Sequence, residues 1–139
     1  MTSYFEKLKL LQENAYAPYS NFKVASILVT QDSQEFPGVN VENASFGGTI
    51  CAERSSFVSA ISTLGANLEN EASFKEIHLL AGRSKNFAMP CGLCRQLINE
   101  FVDKAFKIVV YNEEGEQQVC DIDTLLPHSF SRKDLDVPD

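Results

Sequence analysis

Cys51, Glu53 and Arg54 fall within four consecutive positions of "TICAERSS" (49–56), and Cys91 and Cys94 stand three apart in "MPCGLC" (89–94). Thiols, a carboxylate and a guanidinium so closely set suit metal ligation, proton transfer and charge compensation. Cysteines three apart on a helix face the same way, and helix N-termini favour anions and lower thiol pKa. Two helices aimed at one point would present the thiolates of Cys51, Cys91 and Cys94 to zinc. A structural zinc closes with four protein ligands, whereas a catalytic one keeps a position for water. Cys120 could supply a fourth thiolate, but it falls in an expected strand without a companion ligand. His78 and His128 lack ligand spacing, so the pattern favours the open, three-ligand site.

Glu53 lies one helical step beyond Cys51. A carboxylate there can take a proton from a water on the metal, whose pKa drops from about 15.7 to near 7 in favourable sites. Its plainer role is to stabilise the first helical turn through the helix dipole. Arg54 answers a charge problem, because three thiolates on Zn²⁺ carry a net −1. A cation hydrogen-bonded to the sulfurs would tune the zinc-site charge and restore the metal's acidity; the plainer reading is a surface arginine.

The elements that must position these groups are legible from periodicity and punctuation. Residues 2–16 read as an amphipathic helix carrying Tyr4, Leu8, Leu11 and Ala15 on one side, and "APYSNF" as a loop. "VASILVT" reads as a strand, followed by a second around Val39 to Val41, with a turn at Gly47 and Gly48. A helix from about Cys51 to Leu64 is expected to bury Phe57, Val58, Ile61 and Leu64. "ANLENEAS" is a polar connection and "EIHLLA" a strand. A second site helix runs from "MPCGLC" to about Asp103, with Cys94, Leu97, Ile98 and Phe101 on one side. "FKIVVY" and "QQVC" are strands around the turn "NEEGE", and the tail holds a short helix. The order αββαβαββ indicates one α/β domain with a mixed sheet.

The chain's length of 139 residues suits a single domain with a sizeable core. Its net charge of −7 repels phosphate backbones, which argues against an extended nucleic-acid footprint and for a small ligand or protein partner. No stretch approaches a membrane span, and the charged N-terminus lacks the apolar core of a secretory signal. A cytoplasmic location follows, where cysteines read as ligands before they read as bridges.

"CAE" at 51–53 with "PCGLC" at 90–94 matches the zinc deaminase signature H-x-E…P-C-x-x-C, with cysteine in first place. In this the chain resembles the small homotetrameric cytidine deaminases. "YAPYSNFKVA", "NVENASF", "CAERSSF", "PCGLCRQLINEF" and "LLPHSF" extend the similarity over most of its length. The resemblance implies a cytidine deaminase-like three-layer α/β fold over residues 1–139, a mixed five-stranded sheet between helices. It implies one zinc per subunit on Cys51, Cys91 and Cys94, with a zinc-bound hydroxide attacking C4 of cytosine. Glu53 would protonate N3 and then deliver a proton to the departing ammonia, giving uridine or deoxyuridine in pyrimidine salvage. Phe22 would pack against the base, the backbone of Ala52 would hydrogen-bond it, and Asn40 and Glu42 would hold the ribose. Ala44, Phe46 and Phe130 would complete a neighbouring subunit's pocket in a homotetramer.

Elementary physics supports part of this independently. A carboxylate at Glu42 accepts hydrogen bonds from sugar hydroxyls and repels phosphate, so it favours a nucleoside over a nucleotide or polynucleotide. By themselves, "NVEN" reads first as an ordinary strand end and turn, and Phe22, Phe46 and Phe130 as core. Ala25 stands where the family often has glycine and Met89 where it often has serine. Gly47 and Gly48 replace bulkier residues also seen there, which bears on loop shape. Blasticidin S deaminase shares the three-cysteine core but resembles the chain less at "NVENASF" and "LLPHSF". A tRNA adenosine deaminase would carry histidine in place of Cys51 and a basic face. A structural zinc module would need a fourth ligand and would leave Glu53 without a role.

Overall fold

Ser3 starts the first helix. Its side chain accepts the Glu6 N–H at 3.2 Å, which satisfies one of the helix's unpaired N-terminal donors. The computed structural model describes residues 2–65 and 73–135, and in it α1 spans Tyr4–Gln12. The helix ends four residues before the expected Tyr16 for a specific reason. Tyr16 turns away to meet a neighbouring segment, its N–H donating to Asn40 O at 3.0 Å and its carbonyl accepting from Glu42 N–H at 2.8 Å. That exchange brings the "APYSNF" loop against "NVEN".

Strand β1 is Val24–Thr30 and β2 is Glu35–Val39. The expected second strand, Val39 to Val41, is thus placed too late: Val41 forms only isolated bridges to Tyr16 and Ile50. The strand accommodates Pro37 because β2 is the edge of the sheet, where a proline's missing donor is tolerated. Strands β3 (Phe74–Ala81), β4 (Lys107–Tyr111) and β5 (Gln117–Cys120) complete a five-stranded sheet in the order β2-β1-β3-β4-β5. The β3–β4 pair is parallel and the other pairs antiparallel. A parallel pair needs a crossover, and α3 (Gly92–Phe101) lies between these two strands in the chain.

The two faces of the sheet carry different layers. Leu8 of α1 packs with Ala25, Ile27, Val29, Leu80, Val109 and Tyr111 on one face. On the other, Leu28, Ile77, Leu79, Ile108 and Val110 pack with Phe57 of α2 (Ala52–Leu64), Ile98 of α3 and Ile122 of α4 (Ile122–Leu125). The expected mixed five-stranded sheet between helices is therefore present. Short 3₁₀ turns at Phe46–Gly48 and Arg132–Leu135 complete the fold among the described residues. Most of the polar connection expected at 66–73, and the end of the tail beyond residue 135, lie outside the described residues. None of the described helices is long and apolar enough to cross a membrane.

The two site helices differ in how well periodicity reported them. In α3, Cys94 and Ile98 are buried and Leu97 and Phe101 pack against the core, as expected. In α2 the expected face is corrected. Its buried residues are Ala52, Glu53, Ser56, Phe57 and Ala60, while Val58 and Leu64 are exposed. Small and polar residues occupy most of the inner stripe because this helix lies very close to the sheet. A Cβ on Gly38 of β2 would collide with the Ala52 carbonyl and come within 2.6 Å of the Ser56 nitrogen.

Candidate active site

Cys51 and Cys91 are the N-cap residues of α2 and α3. Both have extended backbone and neither side chain makes a capping hydrogen bond, so both thiols remain available at the positive ends of the two helices. Cys94, in the first turn of α3, is fully buried. Sγ of Cys51 lies 3.7 Å from Sγ of Cys91, which lies 3.5 Å from Sγ of Cys94. Zn–S bonds of ~2.3 Å at tetrahedral angles put sulfurs about 3.8 Å apart, so the three thiols fit one zinc ion. They form the only such group of potential metal ligands among the described residues. Cys120 is not one of them, since its thiol faces the Ile108 carbonyl at 3.7 Å on the β4–β5 ladder. His78 is buried on the α1 face, its ring stacked on Tyr4 and its Nδ1 2.9 Å from the Tyr111 hydroxyl. His128 lies in an exposed turn. Among the described residues a closed four-ligand site therefore has no fourth donor.

Electrostatics inside the cluster are uneven. A hydrogen bond from the Cys94 thiol, opposed by burial and helped by hydrogen bonds from Arg54 and Cys91, lowers the Cys51 pKa to about 5. Cys94, which donates to Cys51 and is buried, is pushed up instead. Arg54 stands beside Cys51. Arg54 Nη2 donates to the Thr49 carbonyl at 2.8 Å and approaches Cys51 Sγ at 3.8 Å, while its Nε is buried without a hydrogen-bond partner. A surface arginine would show neither contact. Glu53 is 4% exposed. Burial raises its pKa, opposed by its own backbone N–H and reinforced by the charge on Cys51.

Buried hydroxyls and a glycine set the position of α2. Ser26 Oγ donates to the Ala52 carbonyl at 2.8 Å and lies 2.5 Å from Ser56 Oγ, all three residues being fully buried. With Gly38 they fix the depth at which Cys51, Ala52 and Glu53 sit. Sequence reasoning missed Ser26, Gly38 and Ser56; the polar run "ERSS" was a signal for Ser56 alone.

Phe22, Asn40, Cys51, Ala52, Glu53 and Cys91 border one cavity of about 200 Å³. A second, of about 250 Å³, is lined by Tyr19, Ser20, Glu42, Phe46 and Thr49, and Thr49 also borders the first. Asn40 is buried beside the first cavity, its Oδ1 accepting from Val24 N–H and its Nδ2 donating to the Phe22 carbonyl, both at 2.8 Å. One amide hydrogen of Asn40 stays uncommitted. Glu42 accepts the N–H groups of Tyr19 and Ser20 through Oε1 and the Ser20 hydroxyl through Oε2. That leaves about one of its four lone-pair sites open. The Ser20 hydroxyl, then the backbone, holds the Glu42 pKa below the usual carboxylate range.

The outer residues separate from this pair of cavities. Phe22, Phe46 and Phe130 are 46%, 73% and 58% exposed, which removes the core-packing reading for all three. Phe46 meets Tyr19 edge-on at 5.5 Å. Ala44 is exposed, and neither Ala44 nor Phe130 borders either cavity. A larger groove of about 520 Å³, over Phe5, Gln12 and Gly82, opens toward α1 and holds none of the cysteines.

Comparison with known proteins gives the same chemistry a context. The family model of the cytidine and deoxycytidylate deaminase zinc-binding region matches residues 1–111. The cytidine deaminase of Sporosarcina psychrophila is 35% identical over 127 residues, covering 91% of this chain and 88% of that protein. That of Halalkalibacterium halodurans is 36% identical over 124 residues, covering 89% of each. A crystal structure of cytidine deaminase from Burkholderia pseudomallei superposes with a TM-score of 0.82 at 40% identity, covering 94% of this chain and all of the other.

Proposed function

The chain belongs to the cytidine and deoxycytidylate deaminase family, and from that premise we propose that it catalyses hydrolytic deamination of cytidine and deoxycytidine to uridine and deoxyuridine. The observation that carries the reading is the convergence of Cys51, Cys91 and Glu53 on one cavity bordered by Phe22 and Asn40. Cys51, Cys91 and Cys94 would hold one zinc per subunit. When bound, the metal makes a water acidic enough to serve as a nucleophile near neutral pH. Glu53 would take the proton given up by the attacking water and place it on N3 of the pyrimidine; it would then take the proton of the hydroxyl added at C4 and pass it to the amino group, which departs as ammonia. Burial suits the task, because it raises the Glu53 pKa and makes the carboxylate a better proton acceptor than an exposed one.

The remaining residues bind and orient. The Ala52 N–H, among the unpaired donors of α2's first turn, hydrogen-bonds the pyrimidine. Phe22 flanks the base, and its place is set by Asn40, which grips its carbonyl. The free hydrogen of Asn40 and the open lone pair of Glu42 take the ribose hydroxyls. The same carboxylate repels a phosphate, so the substrate is a nucleoside. Arg54 offsets the net charge of the three thiolates.

We infer that residues 1–139 act as one catalytic domain, in a homotetramer whose pockets are shared. The exposure of Ala44, Phe46 and Phe130 supports that assembly, since each is free to reach a second copy. A site built on three unbridged thiols fits the reducing cytoplasm, with a role in recovering pyrimidine nucleosides. Product analysis tests the reading. Zinc-loaded protein should release one ammonia and one uridine per cytidine, leave the nucleoside monophosphate largely untouched, and sediment as a tetramer. An active monomer would remove the shared pocket, and inertness toward both nucleosides would remove the substrate.

A further inference from the structure

Helix α3 does more than present Cys94, because the next two residues both reach the C-terminal segment. Arg95 donates from Nε to the Pro90 carbonyl at 2.7 Å and from Nη1 to the Leu125 carbonyl at 2.8 Å. Gln96 donates from Nε2 to the Phe130 carbonyl at 2.8 Å. Between Leu126 and Ser131 the chain has no helix or strand. It turns through a left-handed residue, His128, at φ 52°. The leucines Leu125 and Leu126 pack on the core, and Ser131 N–H is held by Asp134 at 2.8 Å. The Phe130 ring lies between these anchors and is more than half exposed, so core packing does not fix it. Open backbone keeps one conformation only where something ties it, because each ordered residue gives up conformational freedom. The tie at Phe130 is the Gln96 amide.

We propose that Gln96 is a positioning residue, which sets where the Phe130 ring stands relative to the thiol cluster by holding the Phe130 carbonyl to the helix that carries Cys94. The geometry makes one rigid path: Cys94 and Gln96 lie two residues apart on α3, and Arg95 pins both the turn before Cys91 and the end of α4 to the same helix. The ring is thereby offered at a fixed distance from its own thiol cluster to the pocket of a second copy of the chain. The consequence for turnover rests on the functional reading above; the tie itself does not.

The test uses full-length, zinc-loaded protein and the variant Gln96→Met, which keeps length and volume but loses the donor. Amide hydrogen exchange in a peptide spanning residues 122–132 should rise several-fold, with zinc content at one per subunit. KM for cytidine should rise roughly three- to tenfold, the range expected for one hydrogen bond, with kcat within about twofold. Gln96→Lys, which restores a donor of similar reach, should recover both values. In a Phe130→Ala background, Gln96→Met should add nothing to KM. Unchanged exchange in that peptide, loss of zinc, or an equal KM increase with and without Phe130 would each overturn the assignment. Gln96→Glu provides a second donor-less variant if the methionine form does not fold. If wild-type protein is inert on cytidine, the functional reading falls while the exchange measurement still decides the tie.

Discussion

Arg54 places Nη2 3.8 Å from Cys51 Sγ, and the same nitrogen is anchored on the Thr49 carbonyl at 2.8 Å. The cation therefore stands beside the thiolate of a metal-ligand candidate, and cannot swing away without losing a backbone acceptor. Replacing it with alanine should weaken zinc binding about 10–100-fold, the usual cost of losing a group that orients a metal ligand, and should lower turnover. Arg54→Lys should recover only part of both, because a compact, strongly hydrated ammonium does not reproduce the placement of the planar guanidinium. Competition with a chelator measures the first effect and a cytidine assay the second; unchanged values in Arg54→Ala would remove this role.

Gly38 stands opposite the first turn of α2, where an added Cβ meets backbone atoms that cannot move aside. Gly38→Ala should destabilise the fold by about 1–3 kcal/mol, the usual cost of overpacking, lowering Tm by several degrees. It should also lower kcat, because the displaced turn carries Cys51 and Glu53. Thermal unfolding and steady-state kinetics check both. A variant with wild-type Tm and kcat would show that α2 has room the structure does not give it.

Tyr111 is buried against His78, and burial, then the charges of Glu76 and Tyr4, push its pKa up to about 12. An unfolded tyrosine ionises near pH 10. Below that pH both states keep the proton. Between about pH 10 and 12 only the unfolded state loses it, so the native state binds more protons and stability falls as pH rises. Tyr111→Phe should cost about 1 kcal/mol near neutrality through the lost hydrogen bond to His78. Its disadvantage should shrink steadily above pH 10. Denaturant midpoints for both proteins from pH 8 to 11.5 test this; a constant gap would contradict it.

Glu42 is held by three donors from the 19–20 turn, so its charge is fixed in place. Glu42→Gln should raise KM for cytidine about tenfold and narrow the preference for cytidine over its 5′-monophosphate. Parallel rates on the two compounds provide the measure. An unchanged ratio would mean that something other than this carboxylate excludes phosphate.

These expectations divide according to what a linear pattern can carry. The thiol cluster was legible because ligand chemistry restricts residue type and helix geometry restricts spacing, and both survive in "CAE" and "PCGLC". The face of α3 was legible because an apolar stripe reports burial directly. The face of α2 was not. Its inner stripe is Ala52, Glu53, Ser56 and Ala60 around Phe57, chosen for close approach to β2, while Val58 and Leu64 point out. The start of β2 was obscured by Pro37, whose tolerance depends on the strand being an edge, a fact of topology. The ties from Arg95 and Gln96 to Leu125 and Phe130 cross some thirty residues, and nothing in the local composition announces them.

The most direct measurement is the ultraviolet change of cytidine to uridine, followed for zinc-loaded wild type and Glu53→Gln at equal zinc content. Wild type should convert cytidine and deoxycytidine. The variant should keep its zinc and turn over ~10²–10⁴ more slowly, the loss expected on removing a general acid–base group. Zinc-loaded wild type inert on both nucleosides, or a Glu53→Gln protein as active as wild type, would contradict the account.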